Sequence, residues 1–134
     1  MKKFDNFAAN LSVLSRAGQQ DLANEFVMSG IIDKFFIQFE LGWKVLKGLL
    51  RYEGSSAAVS GSPREIIKKA YTVYDFIDED VWCGMLKDRN DLTHMYDAGA
   101  AQRLMEKILS IYIPEFQKME GEILRQYGDV LDRL

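Results

Sequence analysis

Large apolar residues recur along this chain at alternating spacings of three and four, the period of one helical face. Phe4, Phe7, Leu11 and Leu14 mark a short first helix that ends near Arg16-Ala17-Gly18. Ile32, Phe36, Phe39, Trp43, Leu46 and Leu50 form a longer seam, widened by Ile31, Phe35, Val45 and Leu49. A face this broad must be covered by more than one neighbouring helix. Glu40, Lys44, Lys47 and Arg51 fall opposite it, where a solvated surface with a Glu40–Lys44 i,i+4 pair is expected. Gly42 and Gly48 each cost about 1 kcal/mol relative to alanine inside a helix, and close approach of another helix would explain them. Gly54 to Gly61 reads as a mobile surface connector.

Ser62-Pro63-Arg64-Glu65 is a helix start: serine at the N-cap, proline at N1, glutamate at N3. Ile66, Ile67, Ala70, Tyr71, Tyr74 and Ile77 supply the buried face of this third helix. Asp78 or Asp80 caps a fourth helix carrying Val81, Trp82, Met85, Leu86 and Arg89. Met105, Leu109, Tyr112, Phe116, Met119 and Ile123 place a long final helix from about Asp97 to the low 120s. Pro114 should kink it. The spacing predicts an all-α fold, an up-and-down four-helix bundle with an additional short helix, about five helices in all, forming a single domain over residues 1–134.

Composition narrows the function more than the fold. Seventeen basic against twenty acidic residues, net −3, argue against an architectural DNA binder. One cysteine, Cys83, excludes an internal disulfide and a multi-cysteine zinc site, and fits a reducing cytosol. The Met1-Lys2-Lys3-Phe4-Asp5 start has no leader pattern, and no apolar run approaches the ~20 residues of a membrane span. A cytoplasmic protein with no membrane partner, no metal and no cofactor is expected. Trp43, Trp82 and Cys83 read as core residues.

The candidate chemistry is concentrated in Arg89-Asn90-Asp91-Leu92-Thr93-His94-Met95-Tyr96, which holds the only histidine. Histidine moves a proton near neutral pH, and arginine holds a phosphate in a fork of N–H donors. On one unbroken helix Arg89 and His94 would diverge by about 140°. The helix must therefore break between them. Asn90 tolerates a left-handed C-terminal conformation, and Asp97 can cap the next helix. This places Arg89 in the last turn of the fourth helix and His94 and Tyr96 on the tight connection or at the very start of the fifth helix, so that a bend can bring the first two to one cleft.

The octapeptide and its surroundings resemble a HEPN domain. Arg89 and His94 match that family's Arg-x4-His motif, and Tyr96 extends it to Arg-x4-His-x-Tyr. Phe39-Glu40-Leu41-Gly42-Trp43-Lys44-Val45-Leu46-Lys47, the Ser62-Pro63-Arg64-Glu65 start, and Trp82 seven residues before Arg89 resemble the nucleotidyltransferase substrate-binding branch. The likeness covers roughly residues 4 to 125. It implies a toxin-like, metal-independent ribonuclease that cuts RNA through its own 2′-hydroxyl. His94 would exchange protons with the 2′- or 5′-oxygen. Arg89 would stabilise charge at phosphorus, and Asn90 would position the phosphate or orient Arg89. One imidazole is short of the acid and base this reaction needs, so a homodimer is expected. The resemblance also implies a minimal nucleotidyltransferase as antitoxin-like partner, silencing the chain by adenylylation of Tyr96. A different class of function stands beside this one: a non-catalytic subunit that only docks a nucleotidyltransferase.

Overall fold

The computed structural model describes all 134 residues and contains helices only, with no strand. α1 (Lys2–Leu14) and the long α2 (Glu25–Tyr52) are joined through a 3-10 turn at Ala17–Gln19. α3 (Pro63–Val73) and α4 (Glu79–Asn90) come next. α5 (Ala98–Lys107) runs through a π-turn at Ile108–Tyr112 into α6 (Ile113–Tyr127), so these last segments form one continuous rod. That gives five rods, as the periodicity predicts.

α2 is the central element, touching α1, α3, α4 and α5. Its core stripe is Phe35, Phe39, Gly42, Leu46 and Leu49. Phe36 and Trp43, expected at the centre of the seam, sit half-buried at its edge. The shift has a cause at Gly42. A Cβ there would meet the Trp82 ring at 3.0 Å and the Phe7 ring at 3.3 Å. The missing side chain lets α1 and α4 both press onto α2, and Trp82 becomes fully buried between Phe39 and Phe116.

Gln38 is a buried polar residue that the apolar pattern does not announce. It donates to the Phe7 carbonyl at 3.0 Å and accepts from the Asn10 side chain at 2.7 Å, which pins α1 to α2. Satisfied at both ends, it avoids the penalty of an unpaired buried amide.

The helix starts are where the caps predict them. Ser62 accepts from the Glu65 amide at 3.3 Å, and Asp78 rather than Asp80 accepts from the Val81 amide at 3.0 Å. One expectation needs correction, at Tyr71, and the structure adds detail to two others. Tyr71 is exposed, because α3 ends at Val73 and turns Tyr74, not Tyr71, inward. The Gly54–Gly61 segment is a packed connector: Ala58 is fully buried, and Gly54 takes φ +81°, a left-handed value suited to glycine. Pro114 produces a π-turn just ahead of it, which removes the ring from its clash with the fourth carbonyl back. Ile108 is consequently fully buried, and Leu109 is only partly so.

No helix is long and apolar enough to cross a membrane.

The packing at Gly42 makes a direct expectation. Gly42→Val should lower stability by about 1–3 kcal/mol through overpacking against Trp82 and Phe7. The urea midpoint reads this. A midpoint at or above the parent's would contradict the close approach.

Candidate functional site

The site is built where α4 ends. α4 keeps helical geometry through Asn90, with Arg89 in its last turn. The break comes one residue later than expected and by a different device. No residue other than glycine has positive φ, so Asn90 does not supply a left-handed cap. Asp91 is extended instead, at φ −87° and ψ 116°, and its carboxylate accepts from the Thr93 amide at 2.9 Å. An aspartate side chain bonding two residues ahead redirects the backbone as a left-handed residue would.

Thr93–Met95 then forms a single 3-10 turn that carries His94. Asp97 restarts the chain as the N-cap of α5, accepting from the Gly99 amide at 2.9 Å and the Ala100 amide at 3.1 Å. Hydrogen bonds from Thr93 hold the Asp91 carboxyl below the ordinary carboxylate range, with the His94 and Lys87 charges adding to them. Asp91 is a solvent-facing turn residue first and a neighbour of the histidine second.

Arg89 and His94 both return to α2, one turn apart. The His94 ring lies 5.2 Å from the Phe36 ring, centroid to centroid. The Arg89 guanidinium forms an ion pair with Glu40 and sits 5.9 Å from the centre of the Phe39 ring. Phe36 and Glu40 are four residues apart, hence neighbours on one helix face. Glu40 is itself oriented: its second oxygen accepts from the Trp43 indole at 3.1 Å. Arg89 also donates to the Asn90 side chain at 3.2 Å. The expected Glu40–Lys44 surface pair does not form. Lys44 lies near the Trp43 ring instead, 5.9 Å from its centre.

The structure thus seats guanidinium and imidazole on one stripe of α2, Phe36–Glu40–Trp43, without bonding them to each other. The Nε2 atom of His94 is out of contact with solvent and has no hydrogen-bond partner. His94 lines a cavity of about 270 Å³ with Asp88, Asp91, Thr93, Arg103 and Lys107. Asp88 accepts from the Tyr112 hydroxyl and from Lys107 at 3.1 Å. Burial, and then the contact with Asp88, push the Tyr112 hydroxyl well above its ordinary pKa, so it stays a neutral donor. Tyr96 stands apart from all of this, 81% exposed at the end of the turn. Cys83 is half-buried and lines an adjoining cavity, rather than lying inside the core. No group of three or more His, Cys, Asp or Glu side chains is placed to hold a metal ion.

Spacing alone does not single out two of the site residues as functional. Glu40 and Trp43 fall on what reads as a solvated face and a core seam. Their one signal is the compact Phe39-Glu40-Leu41-Gly42-Trp43 run.

With both ion-pair partners about one-third exposed, the Arg89–Glu40 contact should contribute modestly. A double-mutant cycle of Arg89→Ala and Glu40→Ala should return a coupling of about 0.5–1 kcal/mol in urea unfolding. Strict additivity would show that the pair is not held in solution.

A sequence model of the family described as nucleotidyltransferase substrate binding protein like matches residues 2–125 of the chain. No curated protein matches it.

Proposed function

The chain belongs to the nucleotidyltransferase substrate binding protein like family, a HEPN-like family whose description implies association with a nucleotidyltransferase. From that premise we propose that it is both partner and substrate of a minimal nucleotidyltransferase, and that adenylylation of Tyr96 silences a metal-independent ribonuclease built on Arg89, His94 and Asn90. The observation that carries this reading is the exposure of Tyr96. A tyrosine 81% open to solvent has no packing role. It stands two residues beyond the only histidine, at the end of a short turn fixed at both sides by Asp91 and Asp97.

In the modification step the Tyr96 oxygen attacks the α-phosphorus of a nucleoside triphosphate held by the partner. An O–P bond forms, pyrophosphate leaves, and the phenolic proton is lost. The resulting phosphodiester adds bulk and negative charge two residues beyond His94, on the outer side of the turn, where it obstructs and repels an approaching RNA strand.

In the ribonuclease step the RNA 2′-oxygen attacks the adjacent phosphorus. His94 takes the 2′-proton, the 5′-oxygen leaves with a proton, and a cyclic phosphate remains. Arg89 stabilises the charge that develops on the phosphoryl oxygens. It must leave Glu40 to do so, which makes the Glu40 carboxylate a place-holder for the substrate phosphate. A second copy of the chain supplies the second imidazole, so the active form is a homodimer. The chain as a whole acts as one domain.

Two measurements test this. After co-expression with a minimal nucleotidyltransferase, peptide mass spectrometry should find AMP on Tyr96 and none on a Tyr96→Phe chain. An unmodified Tyr96 peptide contradicts the substrate role. Purified chain should cut RNA in the presence of a chelator, with His94→Ala reducing the rate about 10²–10⁴-fold. No chelator-resistant cleavage, or cleavage indifferent to His94→Ala, leaves only a docking subunit.

A further inference from the structure

A helix that packs only inward keeps its outer face polar. α2 does not. At 3.6 residues per turn, Phe26, Gly30, Ile37 and Leu41 fall within about 60° of one another, on the side away from its core stripe. Phe26 is 81% exposed and Ile37 46%, and Leu41 is half-buried. This second stripe runs about 22 Å along the helix. Asp33 stands on one edge of it and Lys34 on the other.

Gly30 is a separate observation. α2 holds Gly30, Gly42 and Gly48, each unfavourable inside a helix. Gly42 admits Trp82 and Phe7, and Gly48 admits the Met1 side chain at 3.0 Å. At Gly30 no atom of the chain's other elements stands within 4 Å of where a Cβ would be. Its bare backbone, between exposed Phe26 and Ile37, is open to close approach from outside the chain.

The stripe fits a second copy of itself. Its spacings of 4, 7 and 4 read the same in both directions. Two α2 helices crossed antiparallel therefore bring Phe26 against Leu41 and Ile37 against Gly30, twice over, in an isologous contact. The orientation also suits the site. Beyond Asp33, on the same edge, lie Phe36 and Glu40, which receive His94 and Arg89. In an antiparallel pair the two-fold axis crosses the seam, so each edge of one helix meets the same edge of the other. Both imidazoles and both guanidiniums then fall on one side of the seam. A parallel pair would set them on opposite sides. The nucleotidyltransferase is drawn elsewhere, because Tyr96 lies on the connection after α4 and not on α2.

We propose that the outer stripe of α2, Phe26–Gly30–Ile37–Leu41, is the seam of an antiparallel homodimer. This deepens the homodimer of the proposed function and rests on that reading for the need of a second imidazole. Phe26, Gly30 and Ile37 are interface residues, outside the Arg-x4-His-x-Tyr motif.

Sedimentation equilibrium of the full chain tests the seam. The parent should be a dimer at micromolar concentration. Gly30→Arg and, separately, Ile37→Asp should each weaken it about tenfold or more. Both positions face solvent in the single chain, so circular dichroism should show both variants as helical as the parent. Val59→Asp, at another exposed apolar position, should leave the dimer unchanged. Orientation is read in a Cys83→Ser background by spin-label distances. Labels at Asp33→Cys should stand much closer to their copy than labels at Lys44→Cys.

A monomeric parent, variants that stay dimeric, or equal separations at the two label positions would each overturn the proposal. A monomeric parent whose binding to a minimal nucleotidyltransferase is lost in Ile37→Asp would assign the stripe to that partner instead. A chain that pairs through this stripe and cuts no RNA would end the ribonuclease reading and leave the seam standing.

Discussion

The contact between Arg89 and Glu40 holds the site together. It ties the last turn of α4 to α2, and Asp91 begins the connection to α5 two residues later. From that point the chain has only a short turn in which to present His94, and Phe36, one turn away on α2, receives it. As stability the ion pair is worth little, about 1 kcal/mol or less for groups this exposed. Its importance is orientation. Trp43 fixes one Glu40 oxygen and Arg89 takes the other, so a guanidinium that would otherwise sample many rotamers stands against the Phe39 ring. An arginine held by a single carboxylate is poised to exchange it for another anion, since both carboxylate and phosphate fit the same fork of donors.

Much of this architecture is legible in the chain. The 3-4 spacing reveals the helices because burial of a continuous face leaves a periodic trace. Ser62, Asp78 and Asp97 mark their starts because capping is local chemistry. The hidden features are non-local or equivocal. Glu40 looks like any solvated glutamate until α4 brings Arg89 to it from 49 residues away. The spacing demands a break after Arg89, but Asn90 and Asp91 both turn chains, and only the backbone shows that Asp91 does it with its side chain. Pro114 announces a disturbance. Whether it becomes a bend or a π-turn depends on the packing of Ile108 and Tyr112, which no local rule supplies.

Family membership and geometry bear on different parts of the function. The match over residues 2–125 places the chain in a family whose description implies association with a nucleotidyltransferase. The geometry separates two roles within one octapeptide. Tyr96 is presented outward. Arg89 and His94 are turned inward onto α2. In the proposed function that division is what allows the partner to modify one residue while the other two await a phosphate.

In the proposed function the Arg89 guanidinium exchanges Glu40 for phosphate when nucleic acid arrives. Titrating the isotope-labelled chain with an uncleavable RNA, its 2′-hydroxyl removed at the scission site, allows the Arg89 Nε–H and Trp43 Nε1–H resonances to be followed together by NMR. The expected result is a large shift of the Arg89 signal on saturation, from a free-state position that itself depends on Glu40 and moves in the free Glu40→Gln chain, while the Trp43 signal stays close to its starting position. An Arg89 resonance that keeps its free-state position at saturating RNA would mean that the guanidinium never leaves its carboxylate, and the arginine would then be a structural tie with no part in binding phosphate.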